Sequence, residues 1–264
     1  MIKLIVTDMD GTLLDDTRKL PDDIWKTIEE LHKKGIMFAV ASGRQYQTLA
    51  DIFDRVSDEM LFMAENGTYL VYHGKPIATN PIEKLLVKEL IETGRKIPDA
   101  YILLCGTKTA YAESSDERFL SHARKYFNHI EIVDDLMELD EEVLKYTIAD
   151  FRDPIHNSIH YFDSFRDRCK PAVSSDLWLD VMGLTANKGT ALRTMQEKLG
   201  ISNDETIVFG DYMNDFEMMQ YASNSYAMVN AHPEILAVSK FVTRLDNNNN
   251  GVIDTLRSLE LVNG

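Results

Sequence analysis

The sequence predicts an α/β fold: a parallel sheet core with helices on both faces and an α+β module inserted into it. Short apolar runs without in–out alternation, such as Leu4-Ile5-Val6 and Ile36–Ala41, alternate with helical patterns at both ends of the chain. That is the mark of strands buried on both faces of a parallel sheet. The rhythm gives way after Pro81 to hairpin-like strand pairs mixed with helices, and it returns at Lys188. These two changes of rhythm set the expected boundaries: a core of residues 1–81 and 186–264, and an insert of residues 82–185.

In order, residues 2–7 read as a strand. Pro21-Asp22-Asp23 then opens a helix on which Ile24, Ile28 and Leu31 recur at helical spacing before Gly35 stops it. Residues 36–41 form a second buried strand, ending in Ser42-Gly43-Arg44. A helix over 45–56 and a strand over 60–64 follow, the latter leading into Glu65-Asn66-Gly67. In the insert we expect a helix over 82–96, strands over 101–104 and 109–113, and a polar helix near 116–127. Strands at 130–133 and 143–151, a segment at 158–169 and a strand-like stretch at 171–182 complete it. The core resumes with a helix over 188–199 stopped by Gly200, and the apolar strand Ile207-Val208-Phe209 ending in Gly210-Asp211. A helix over 214–222, a strand at 227–229 and helices near 233–239 and 251–259 close the chain. The run Asn247–Asn250 reads as a polar loop.

Composition narrows the function classes. The 264 residues carry a formal charge of −15 and no cluster of Lys and Arg. Binding to nucleic acid or to an anionic membrane is therefore disfavoured, since both depend on neutralising negative charge. An anionic small molecule remains possible if a local cation receives it. The two cysteines, Cys105 and Cys169, lie far apart outside any metal-ligand spacing, so both are expected as free thiols. No apolar run is long enough to span a bilayer and Asp8 and Asp10 interrupt the early one, so a cytoplasmic location is expected.

Three apolar strands end in polar sets: Asp8 with Asp10, Ser42-Gly43, and Gly210-Asp211 with Asn214 and Asp215 a turn later. Parallel strands place their carboxyl ends on one edge, where these groups converge in a crevice, and Lys188 opens a helix able to reach the same edge. Carboxylates, a hydroxyl, backbone N–H donors and one ammonium suit Mg²⁺ and phosphate. Magnesium takes carboxylate and water oxygens and is completed by substrate phosphate. The absence of nearby His and Cys argues against zinc. Singly, each element has an ordinary reading: Asp-Gly as a turn, Ser42 as a helix cap, Lys188 as a solvated lysine, residues 210–215 as a capped helix start. Their joint order after strands and at a helix start is what speaks for chemistry.

Asp8-Met9-Asp10-Gly11-Thr12, Ser42-Gly43-Arg44, Lys188-Gly189 and Gly210-Asp211-Tyr212-Met213-Asn214-Asp215 resemble the four motifs of the haloacid dehalogenase-like hydrolase superfamily. The finer resemblance is to its Cof-type phosphatases, which have a Rossmann-like core and a type IIB cap inserted between the second and third motifs. Glu65-Asn66-Gly67 and Asn230-Ala231-His232-Pro233-Glu234, running on to Gly251-Val252, support it. The insert matches by position and element order only.

The resemblance implies a Mg²⁺-dependent phosphatase of small phosphorylated metabolites, such as sugar phosphates or cofactor phosphates, acting through an aspartyl-phosphate. Asp8 is implied as nucleophile and Asp10 as general acid and base. The Asp8 carboxylate, the Asp10 carbonyl and Asp211 are implied as metal ligands, with Asp215 in the second shell or binding through water. Ser42, Gly43, Lys188 and Asn214 are implied as phosphate-binding groups. Arg44 is a candidate substrate contact, equally readable as an exposed arginine in a salt bridge. In the insert, Tyr111, His122, Arg124, His156, His160 and Trp178 are candidates for a specificity surface, and Gly67 and Gly183 lie near the expected hinges. The expected partner is a small phosphate ester, with the chain a monomer or weak homo-oligomer.

Two other readings compete. A sugar phosphomutase of the same superfamily must hold a diphosphorylated intermediate, which calls for surplus basic residues in the cap. Arg95, Lys96, Lys108, Arg118, Arg124, Lys125, Arg166 and Arg168 are available, diluted by acidic neighbours. A phosphometabolite-binding regulator without catalysis has no need of Asp10 two residues after Asp8.

Overall fold

The computed structural model describes residues 1–263. The chain divides into two compact units: Met1–Gly43, Phe53–Ala78 and Asn187–Gly264 form the first, and Arg44–Ile52 with Thr79–Ala186 the second. The sequence-based junctions fell at 81/82 and 185/186 and kept residues 44–52 with the core.

In chain order the first stretch holds β1 (Leu4–Asp8), α1 (Ile24–Lys33), β2 (Met37–Ala41), α2 (Tyr46–Ile52), β3 (Leu61–Ala64), β4 (Tyr69–Tyr72) and β5 (Lys75–Thr79). The insert supplies α3 (Lys84–Gly94), β6 (Ala100–Gly106), β7 (Ala110–Ala112), α4 (Glu117–Ala123), β8 (Ile130–Ile132), β9 (Val143–Asp150), β10 (Cys169–Val173) and β11 (Trp178–Gly183). The chain returns through α5 (Lys188–Leu199), β12 (Thr206–Gly210), α6 (Phe216–Tyr221), β13 (Asn224–Ala227), α7 (Pro233–Val238), β14 (Phe241–Val242) and α8 (Gly251–Ser258). No helix among the described residues is long and apolar enough to cross a membrane.

The first unit is built on an eight-stranded sheet in the order β14-β13-β12-β1-β2-β3-β4-β5. The strands from β14 to β3 are parallel, and β4 runs antiparallel to β3. Leu4, Ile5 and Val6 of β1 are fully buried, and removing each such side chain from water contributes roughly 1.5–3 kcal/mol. Successive strands step one way from β1 to β2 and β3, and the other way from β12 to β13 and β14. The order therefore reverses between β1 and β12, which opens a crevice at their carboxyl ends.

The second unit carries a six-stranded sheet, β10-β11-β9-β6-β7-β8. Its pairs are antiparallel except β7 with β8. One core includes Leu86, Leu90 and Ile91 of α3 with Tyr146 and Ile148 of β9. The buried Tyr146 hydroxyl donates to the Leu90 carbonyl at 3.0 Å. Phe119 and Leu120 of α4 belong to a separate core with Leu103, Ala149 and Trp178.

Several expectations need correction. The stretch 171–182 is two strands, turned at Ser174–Leu177, rather than one, and 158–169 contains a 3-10 segment, Ser158–Phe165. The strand placed at 227–229 lies at Asn224–Ala227. The helix expected over 45–56 is the shorter Tyr46–Ile52. Strands β4, β5 and β14 were not expected. β14 has two residues, and most of β5 is exposed or half-buried, so neither shows the buried run used to find the others.

Candidate active site

The parallel register builds the site. Asp8 lies beside Ala41 on one side, and Thr7 beside Phe209 on the other. Ser42 thus extends β2 one residue past Asp8's partner, and Asp211 follows β12 in the same way. The Ser42 amide donates to the Met63 carbonyl at 2.9 Å, and the Asn66 amide donates to the Ser42 carbonyl at 2.9 Å. Ser42, Asp8, Lys188 and Asp215 are all buried, the last two completely.

At the centre is Lys188, the first residue of α5. Asn187 caps that helix, its Oδ1 accepting from the Thr190 amide at 2.7 Å. The Lys188 ammonium donates to Asp8 Oδ1 at 2.5 Å and to Asp215 Oδ1 at 2.6 Å. Burial disfavours its charge, but the Asp215 and Asp8 carboxylates outweigh this and hold it protonated. Asp215 Oδ2 accepts from the amides of Asp211 at 3.0 Å and Tyr212 at 3.3 Å. Both Asp215 oxygens are thus committed to orienting Lys188 and the turn after β12. Asp211 accepts from the Thr12 hydroxyl at 2.8 Å. Gly11 has φ +80°, and a side chain there would collide with the Asp211 carboxylate, so only glycine lets the two loops approach.

Ligand oxygens of Asp8, Asp211 and Asp215 lie within 4.8 Å of one another. Three carboxylates thus meet one ammonium. Asp8 is pushed well above the usual carboxylate range by burial first and then by Asp215, with Lys188 pulling back. Asp211 is pushed up to about 6, again by burial and then Asp215, with the Thr12 hydroxyl opposing. This excess of buried negative charge, and its all-oxygen donors, fit a hard divalent cation such as magnesium.

Gly43, Asn66 and Asn214 are also brought together. The Asn214 amide donates to Asn66 Oδ1 at 3.4 Å, and a Cβ on Gly43 would stand 3.1 Å from that same oxygen. Glu65 and Asn66 both have positive φ, 49° and 54°. For Glu in particular this strained conformation is worth about 1–3 kcal/mol, and such strain concentrates at functional sites. Asp10 is exposed on the turn after β1. Arg44 is half-buried and falls in the second unit.

The insert candidates all have local structural partners. Tyr111 is buried and bonds Glu141, and Trp178 packs edge-on against Tyr126 and Phe127. His122 pairs with the Arg118 carbonyl, Arg124 with Glu117, His156 with Asp153 and His160 with Asp163. A groove of about 490 Å³ on the second unit, between α3 and Leu136–Val143, is lined by Val87, Ile91, Leu104 and neighbours and includes none of the clustered carboxylates.

Two residues without an assigned role in the sequence reading contribute. Thr12 bonds Asp211, and Asn66 accepts from Asn214 and stands against Gly43. Both lie in the turns that follow β1 and β3, and that position is the sequence signal for them.

A sequence profile of haloacid dehalogenase-like hydrolases matches residues 5–256. The chain belongs to this hydrolase family. It is similar to the Escherichia coli 5-amino-6-(5-phospho-D-ribitylamino)uracil phosphatase YbjI, 31% identical over 260 residues, covering 97% of this chain and 95% of that one. A crystal structure of TM0651 from Thermotoga maritima aligns with a TM-score of 0.88 at 26% identity, covering 98% of this chain and 97% of that one. The subclass IIB sugar phosphatase BT4131 shares the fold, with a TM-score of 0.79 at 21% identity over 98% of this chain and 100% of its own. The Cof-type grouping expected from the motifs stands, and the chain is a phosphoric monoester hydrolase of this family.

Proposed function

We propose that this phosphatase transfers the phosphoryl group of its substrate to Asp8 and then to water, with Mg²⁺ as cofactor. The observation that carries the reading is the meeting of the Asp8, Asp211 and Asp215 carboxylates around the buried ammonium of Lys188. Asp8, at a strand end and held by Lys188, is the nucleophile. Asp10, two residues on and exposed to solvent, protonates the leaving alcohol and then takes a proton from the attacking water. Asp8, Asp211 and the Asp10 carbonyl would hold the cation, which when bound supplies positive charge against nucleophile and phosphoryl oxygens. Asp215 positions Lys188 and the Asp211 turn, since its oxygens are already committed. Ser42, the Gly43 N–H, Asn214 and Lys188 stabilise charge on the transferring group.

Five arginines of the insert favour hydrolysis over a phosphomutase reaction through a diphosphorylated intermediate. Arg95, Arg118, Arg124, Arg166 and Arg168 each pair with a carboxylate of the same unit, so acidic neighbours balance their charge. Given the similarity to YbjI, a phosphorylated ribityl compound is the first substrate to try, alongside sugar phosphates. The test is Mg²⁺-dependent phosphate release from such a panel by wild type and by Asp8→Asn. Release by wild type and loss in the variant is the expected result; no release by either from any ester contradicts the reading.

A further inference from the structure

The turn bearing Asp10 is closed at its base by one carbonyl. Met9 O accepts from the amides of Thr12, Leu13 and Leu14 at 3.4, 3.0 and 2.8 Å. These bonds curl the turn, and carbonyls further along it find partners elsewhere. Side chains more than 200 residues away complete it. The Asn230 amide donates to the Gly11 carbonyl at 2.9 Å. The Asn247 amide donates to the Leu14 carbonyl and to Asp16 Oδ1, both at 3.0 Å. Asn248 and Asp16 exchange two bonds of 3.0 Å, one from the Asn248 amide to Asp16 Oδ2 and one from the Asp16 amide to Asn248 Oδ1. The Asn247 backbone N–H donates to Asn230 Oδ1 at 3.4 Å, which joins the two anchor points. Asn247 is itself buried.

The run Asn247–Asn250, which reads in sequence as a plain polar loop, therefore contributes to a clamp. We propose that Asn230 and Asn247, reinforced by the Asp16–Asn248 pair, are positioning residues for the Asp10 carboxyl, holding the carbonyls one and four residues beyond it. The proposal rests on the reading of Asp10 as general acid. A positioned acid works only within a narrow range of distance and angle, so slack in the turn weakens proton donation before it weakens substrate binding.

A leaving-group series tests this. Single-turnover phosphoryl transfer in saturating Mg²⁺ is measured for aryl phosphates whose leaving groups span a range of pKa, using wild type, Asn247→Ala, Asn230→Ala and Asp10→Asn. Asn230 lies at the surface, so Asn230→Ala removes the donor without adding charge beside Asp10 and with little risk to folding. A well-placed acid flattens the dependence of rate on leaving-group pKa. Both clamp variants should steepen it, losing on the order of tenfold with the poorest leaving group and much less with the best, KM changing little. A uniform fall across the series, or no fall, overturns the proposal and leaves the clamp a purely structural tie. If Asp10→Asn itself leaves the slope unchanged, it is the acid assignment that fails, a result distinct from either.

Discussion

Lys188 is the residue on which most of the site's electrostatics turn. Two buried carboxylates accept from it, so its removal leaves both without their counter-charge. Breaking a buried pair in this way costs about 3–5 kcal/mol. Lys188→Met should lower stability to urea at neutral pH by that amount, and Lys188→Met with Asp215→Asn should recover part of it. An equal loss in single and double variants would show that the carboxylates do not depend on the ammonium. At this scale the sequence was informative about identity and less so about contact. The convergence of Asp8 and Asp211 could be read from strand order, because strand ends of a parallel sheet lie on one edge, and Lys188 could be placed there as the start of a helix. The Thr12–Asp211 bond and the Asn230–Gly11 bond could not, since each joins residues about 200 positions apart through side-chain reach that no local pattern encodes.

Elements act through close approach and capping. Gly189 brings α5 against α6, and a Cβ there would stand 2.7 Å from the Glu217 backbone. Gly189→Ala should therefore push the helices apart and cost about 1–3 kcal/mol, read as a lower urea midpoint with unchanged slope. Asp150, at the end of β9, organises the following loop. Its Oδ1 accepts from the Arg152 amide at 2.9 Å, its Oδ2 from the Ser158 amide at 2.9 Å, and both oxygens from the Asn157 side chain at 3.0 Å. Burial alone would raise its pKa, but bonds from Arg152, Asn157 and Ser158 outweigh that and hold it below the usual carboxylate range. A folded pKa below the unfolded value of roughly 3.9 means stability present above about pH 4 and lost as pH falls through the folded value. Asp150→Asn should thus be less stable than wild type at pH 7, the difference shrinking in acid; a gap constant with pH would contradict this. The buried strands β1, β2, β3 and β12 and helix α5 were legible because apolar runs and a glycine stop are local signals, whereas β4, though buried, was not. The hairpin of β10 and β11 was marked by Ser174-Ser175-Asp176, yet flanking apolar residues masked the turn. β13 was misplaced because Asn224 and Ser225 dilute its apolar content while Met228 and Val229 just beyond it do not.

Across the whole molecule, buried carboxylates outnumber the ammonium beside them, so a divalent cation should bind the folded chain in preference to the unfolded one. Mg²⁺ at a hundred times its Kd should add about 2.7 kcal/mol and raise the melting temperature, an effect weakened in Asp211→Asn. No change in melting temperature with Mg²⁺ would speak against the metal assignment without touching the fold. The two-unit organisation was legible as a change of rhythm near Pro81 and Lys188, whereas the grouping of residues 44–52 with the second unit depends on tertiary contacts. Substrate preference was not legible, because the insert candidates are engaged in local structural contacts. The central claim is that Asp8 accepts the phosphoryl group, and acid-quench trapping tests it most directly. With Mg²⁺ and a ³²P-labelled ester, label should appear as a hydroxylamine-sensitive acyl phosphate on the peptide containing Asp8, and be absent from Asp8→Asn. Undiminished phosphate release by Asp8→Asn, with no label on that peptide in wild type, would contradict it.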